Sequence, residues 1–142
     1  MIIVLPMTGP NRFKSEEYFY PKPLLEIYQR PMVQVALEGY FDMDVSLYVP
    51  IISDKDKVEF SLDAVLEQIL IEKNHKIITL KGATSGSLCT TMLAVDEVDR
   101  NEELLIINYD QYLDFDLSSV ISAFRDKKND FGVICFDSTH PK

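Results

Sequence analysis

Ile2-Ile3-Val4-Leu5-Pro6-Met7, followed at once by Thr8-Gly9-Pro10, is the stretch that decides the fold class. Six apolar residues without alternation read as a strand buried on both faces, and the turn residues behind them stop it. Such a strand belongs at the centre of a sheet. Working outward, further short apolar runs over 45–52, 76–80, 104–107 and 133–136 predict four more strands, and 24–27 a short extended piece. Helical patterns separate them. Behind Ser61 as N-cap, Leu62, Val65, Leu66, Ile69 and Leu70 follow the i, i+3, i+4, i+7, i+8 rule. Pro31 opens an earlier helix with Met32, Val35, Ala36, Gly39 and Tyr40 on one face. Residues 87–98 predict a third helix, and Asp116 caps a fourth whose Leu117, Val120, Ile121 and Phe124 share a face. Strands alternating with amphipathic helices indicate βαβ units, hence an α/β fold of three α/β/α layers around a mostly parallel sheet.

The chain of 142 residues has the size of one domain. Hydrophobic residues at 46% and charged residues at 26% exclude a disordered or collagen-like chain. No apolar run approaches the roughly 18 residues of a membrane span and the first residues contain no basic leader, so a cytoplasmic protein is expected. Cys89 and Cys135 lie in apolar surroundings and predict reduced core residues. A net charge of −9 disfavours a sequence-independent grip on nucleic acid. The charge is uneven: residues 1–30 sum to +1 and the remainder to −10. An acidic protein that binds a polyphosphate needs a local basic patch, and the first loop is the place for it.

In a parallel sheet, ligands bind outside the carboxyl ends of the strands. That rule brings together three loops, 8–22, 81–86 and 108–116. The first is longer than most connections and supplies Gly9 for close backbone approach with Arg12, Lys14 and Lys22 as cations, the equipment for cradling a triphosphate. Solvated surface charges are an equal reading of the same residues. The second loop, Gly82-Ala83-Thr84-Ser85-Gly86, precedes a helix and suits a planar ring or a phosphate; taken singly it is more simply a tight turn with Ser85 or Ser87 as N-cap. In the third, Asp110 lies nearest the strand end and is the best ligand candidate for Mg²⁺, with Asp116 as a helix cap and Asp114 on the surface. Phe13, Tyr18, Phe19 and Tyr20 can stack on a base or pack against their own domain, the second being commoner. The chain contains neither GxGxxG nor a P-loop, no HExxH or paired-histidine zinc site, since His75 and His140 stand apart, and no GxSxG elbow.

Pro21-Lys22-Pro23-Leu24-Leu25-Glu26-Ile27, followed by Arg30-Pro31-Met32-Val33, resembles the PKPL-(I/L)-E segment of the nucleotidyltransferases that make nucleotide sugars. Residues 3–9 with Arg12-Phe13 resemble that family's glycine-rich loop and arginine, 82–90 its base-side loop, and Ile107-Asn108-Tyr109-Asp110-Gln111 its metal-binding aspartate segment. The resemblance runs along essentially the whole chain. It implies a Rossmann-like, truncated sheet, with residues 1–142 the N-terminal part of a longer catalytic domain. It also implies condensation of a nucleoside triphosphate with a sugar 1-phosphate or similar phosphate ester, releasing pyrophosphate. By the same resemblance Arg12 and Lys22 are catalytic, and Thr8, Gly9, Gly82, Thr84 and Gly86 border the nucleotide. The resemblance further implies that Asp110 binds a Mg²⁺ cofactor. Pro10 and Asn11 stand where the family has a second glycine, so a non-catalytic nucleotide-binding or regulatory domain is the alternative. Whether the chain forms a homo-oligomer is open.

Overall fold

The computed structural model describes residues 1–9, 19–135 and 137, which fall into two compact units, Met1–Tyr112 and Leu113–Lys142. The first unit is built on parallel strands: β1 (Ile2–Pro6), β4 (Leu47–Ser53), β5 (Ile78–Leu80) and β6 (Leu104–Ile106), in spatial order β5-β4-β1-β6. In register, Val4 stands opposite Val49 on one side and Ile106 on the other. β1 is thus central, as a non-alternating apolar run demands, and Ile2, Ile3, Val4 and Leu5 are all buried.

The strand period of two divides β1 and β4 between two layers. On one face Ile2, Val4, Val49 and Ile51 pack with Ala94, and Leu47, Ile78 and Val98 close the cluster. Ala94 comes from a 3-10 turn, Met92–Ala94, that continues the short helix α4 (Ser87–Thr91). On the opposite face the Tyr48 hydroxyl donates to the Tyr40 carbonyl at 3.1 Å, and its ring meets Phe41 edge-on. Tyr40 lies just past α1 (Met32–Glu38). α3 (Leu62–Ile69) buries Leu62, Leu66 and the following Leu70 completely, one residue per turn. Each such side chain contributes about 1.5–3 kcal/mol by leaving water.

Several local expectations are corrected. α1 starts at Met32 with Pro31 as N-cap, and its buried face is Val33, Ala36, Leu37 and Tyr40, a phase rotated from the one predicted. Before it, β2 (Glu26–Ile27) and β3 (Arg30–Pro31) form a hairpin whose turn, Tyr28–Gln29, has φ of 49° and 66°. A second helix, α2 (Asp54–Phe60), was not anticipated. It buries no side chain and starts instead through its cap, Ser53 Oγ accepting from the Asp56 amide at 3.0 Å. Ser61 is the left-handed C-cap of α2, with φ 53°, and makes no side-chain bond to α3. Gly86, not a serine, occupies the N-cap of α4. Cys89 and Cys135 are exposed, because the strongly curtailed α4 turns Cys89 outward and no strand forms over the described residues 133–135.

In the second unit, α5 (Leu117–Asp126) is capped as predicted: Asp116 accepts from the amides of Ser118 and Ser119 at 3.0 and 3.4 Å. The expected strand at 133–136 does not form over 133–135, and Phe136 lies outside the described residues. Val133 and Ile134 stay exposed, so an apolar run with no strand to pair gains neither ladder bonds nor burial. Among the described residues no helix is long and apolar enough to cross a membrane.

Candidate functional site

Because β1, β4 and β6 are parallel, their carboxyl ends share one edge. β1 runs on through Met7, whose amide donates to Ile51, to Thr8 and Gly9. β6 runs on through Ile107, whose amide donates to Val4, to Tyr109 and Asp110. Lys22 reaches the same edge from a 3-10 turn, Lys22–Leu24, set between the buried prolines Pro21 and Pro23. The prolines fix φ on either side of the lysine, and Leu24 and Leu25 donate back to Pro21 and Lys22 at 2.9 and 3.2 Å. The backbone under Lys22 is therefore held firmly.

The Lys22 ammonium forms an ion pair with the Asp110 carboxylate, 88 positions away in sequence. The same ammonium sits 5.9 Å from the centre of the Tyr109 ring. Burial pushes the Tyr109 hydroxyl up to about 12, and the negative charges of Asp110 and Asp56 add to that shift. Asp56, in the first turn of α2, thus brings a second carboxylate field to this edge. Phe19 packs edge-on and Tyr20 tilted against Phe60, at ring separations of 5.4 and 6.1 Å, the self-packing outcome.

The small-residue loop joins the end of β1 through hydroxyls. Thr90 Oγ1 lies 3.0 Å from Thr8 Oγ1 and 2.6 Å from Thr84 Oγ1. Thr84 Oγ1 also donates to the Gly86 carbonyl at 3.2 Å. Gly82 and Gly86 have φ of 92° and 143°, backbone conformations that a side chain disfavours, and a Cβ at either would meet nothing within 4 Å. Glycine is required here by the chain direction, not by crowding.

Of the residues singled out in the sequence, Lys22 and Asp110 meet, and Thr8 and Thr84 meet through Thr90. Gly9, Gly82 and Gly86 are exposed on the adjoining loops. Arg12 and Lys14, with Phe13, Tyr18, Pro10 and Asn11, lie outside the described residues. Asp114 and Asp116 belong to the second unit, where Asp116 is a cap. Sequence reasoning overlooked Asp56, and it placed Tyr109 and Thr90 within family-like segments without giving either a role of its own. Only Asp56 had a local signal, the Ser53-x-x-Asp56 cap pattern.

Among the described residues no group of three or more His, Cys, Asp or Glu is arranged to enclose a metal ion. Among the described residues the carboxylate that meets Lys22 at this edge is that of Asp110, a hard oxygen donor. That suits Mg²⁺, which is commonly held by one or two carboxylates with phosphate oxygens completing its shell, and does not suit zinc.

Solved structures of the same fold come from several bacteria. The nucleoside-diphosphate-sugar pyrophosphorylase of Vibrio cholerae RC9 is 23% identical, with 83% of this chain and 52% of that one covered at a TM-score of 0.61. HddC of Yersinia pseudotuberculosis complexed with GMP-PN is 21% identical, with coverage of 88% and 54% and a TM-score of 0.67. The UDP-glucose pyrophosphorylase of Acinetobacter baumanii is 18% identical, with coverage of 89% and 53% and a TM-score of 0.66. The chain spans about half the length of these structures. No curated protein matches it. The model of the nucleotidyl transferase family matches residues 18–142, a span that includes Lys22, Thr84, Thr90 and Asp110. With most of its length matched, and with the Rossmann-like α/β sheet of the solved structures, the chain belongs to the nucleotidyl transferase family.

Proposed function

We propose that this chain carries the nucleotide-activating edge of an enzyme that transfers a nucleotidyl group from a nucleoside triphosphate to a sugar 1-phosphate or similar phosphate ester. The observation that carries the reading is the meeting of Lys22 with Asp110 at the carboxyl edge of the parallel sheet. In the reaction a phosphate oxygen of the acceptor attacks the α-phosphorus of the triphosphate. The bond from that phosphorus to the oxygen bridging to the β-phosphate breaks, and pyrophosphate leaves. Negative charge gathers on the α-phosphate oxygens as this happens, and a fixed cation there lowers the barrier.

Lys22 is the cation at the α-phosphate, its stem starting from a firmly held backbone. Arg12 holds the triphosphate tail, and Thr8 and Gly9 line its path. Gly82, Thr84 and Gly86 border the base. Asp110 would hold Mg²⁺, which would supply further charge neutralisation at the phosphates. The Lys22–Asp110 pair keeps both charges at the edge in the ligand-free chain, and a bound triphosphate takes over the ammonium as its partner. The matched solved structures include pyrophosphorylases and a complex with a nucleotide analogue, which supports this class of substrate. A cytoplasmic location fits such substrates.

Calorimetric titration of the chain with each common nucleoside triphosphate, with and without Mg²⁺, combined with pyrophosphate release in the presence of glucose 1-phosphate, tests the reading. Binding with release is the expected result. Binding without release of pyrophosphate, with glucose 1-phosphate and then a panel of other sugar 1-phosphates as acceptors, makes the chain a nucleotide-binding or regulatory domain, and no binding removes the assignment.

A further inference from the structure

Resting on that reading, we infer that Thr90 is a positioning residue of the nucleotide edge: its hydroxyl locks loop 82–86 to the end of β1. Thr90 lies in α4 and is 2% exposed, so water does not compete for its side chain. Its Oγ1 has three neighbours within hydrogen-bond distance: Thr8 Oγ1 at 3.0 Å, Thr84 Oγ1 at 2.6 Å and the Gly86 carbonyl at 3.3 Å. A hydroxyl has one proton to give and two lone pairs to receive: with the Thr84 proton spent on the Gly86 carbonyl, Thr90 donates to Thr84 and accepts from Thr8, a relay that leaves Gly86 to Thr84. Its backbone amide also donates to Gly86, at 3.0 Å.

Among the described residues, little else holds the loop. Gly82, Ala83, Ser85 and Gly86 are exposed, and the two glycines have no side chain to pack. Their left-handed backbone makes several loop shapes accessible at small cost. The Thr8–Thr90–Thr84 chain of hydroxyls selects one of them and ties the segment bordering the base to the segment lining the triphosphate. Preorganised in this way, the two loops lose less freedom when a nucleotide arrives.

Thr91 is the internal control. It is also buried, but its hydroxyl only donates to the Ser87 carbonyl four residues back at 2.9 Å, an ordinary intrahelical bond that reaches neither loop. Thr90→Val keeps the shape and removes the hydroxyl, whereas Thr90→Ser keeps the hydroxyl and removes a methyl group. If the lock is real, Thr90→Val weakens triphosphate binding by about 5- to 30-fold, the loss of one to two hydrogen bonds. Thr90→Ser and Thr91→Val stay within about twofold. Amide hydrogen exchange over 82–86, read in the ligand-free chain, accelerates in Thr90→Val alone. A merely structural role reverses the order, because the lost methyl group of Thr90→Ser then does more harm than the lost hydroxyl. That reversal, or Thr91→Val matching Thr90→Val, overturns the inference. A wild-type chain that binds no triphosphate overturns the function assigned to the edge, while the exchange comparison still supports or overturns the lock.

Discussion

Replacing Lys22 by Met removes one charge from the edge and retains most of the apolar stem. Two magnitudes then separate a structural ion pair from a functional one. The Lys22 and Asp110 side chains keep 23% and 27% of their exposure, so the pair is partly solvated and its loss costs about 0.2–1 kcal/mol of stability. For a unit of this size that is a fall in the unfolding midpoint of at most about 8 °C. If the ammonium neutralises charge in the transition state, the same change lowers turnover by about 10²- to 10³-fold, equivalent to about 2.7–4 kcal/mol. The barrier change thus exceeds the stability change severalfold. Asp110→Asn is expected to behave alike, and the double variant to lose little more than the worse single one, since the two groups act as a unit. Pyrophosphate release under saturating triphosphate, paired with thermal unfolding of each variant, reads both quantities. Turnover of Lys22→Met within about threefold of wild type would refute the role, leaving Lys22 as a surface pair.

Ser53→Ala removes the cap of a helix that buries nothing, so about 1 kcal/mol is expected, seen as a lower urea midpoint; an unchanged midpoint counts against the capping account of α2. Gly86→Ala forces a side chain to φ 143° and should cost about 1–3 kcal/mol in thermal unfolding although the space around it is open; a neutral result means that the loop relaxes freely. Burial pushes the Tyr48 hydroxyl up to about 12 from 10.0, so the neutral form is favoured in the folded chain. The stability this contributes is intact below pH 10.0 and is lost as pH rises through about 12, because the unfolded chain gives up its proton first. Urea midpoints taken across that window should fall less steeply for Tyr48→Phe, and parallel slopes contradict the assignment.

Much of the frame was legible because burial writes a period into the sequence. β1 is apolar at every position because both its faces are covered, and Leu62, Leu66 and Leu70 recur once per turn because one side of α3 faces the sheet. Where burial is absent the signal fails. α2 has no buried side chain and arises from a single cap, so its charged residues look like loop. The apolar run at 133–136 looks like a strand, yet over 133–135 nothing pairs with it, and composition carries no information about a partner. The phase of α1 slipped because its apolar residues sit on several faces and only packing selects Val33, Ala36, Leu37 and Tyr40.

The candidate site divides the same way. From the order of its residues alone, the chain determined a parallel α/β sheet and which loops end at its carboxyl edge, since alternation of strands and helices leaves one way to cover the sheet. Only the tertiary structure decided that Lys22 faces Asp110, that the Tyr109 ring lies beside the ammonium, and that Thr90 joins Thr8 to Thr84. Those contacts span up to 88 positions. Hydrophobic burial acts on every residue and leaves a local pattern, whereas a hydrogen bond or ion pair across such a distance depends on how the strands align, which no local stretch of sequence records.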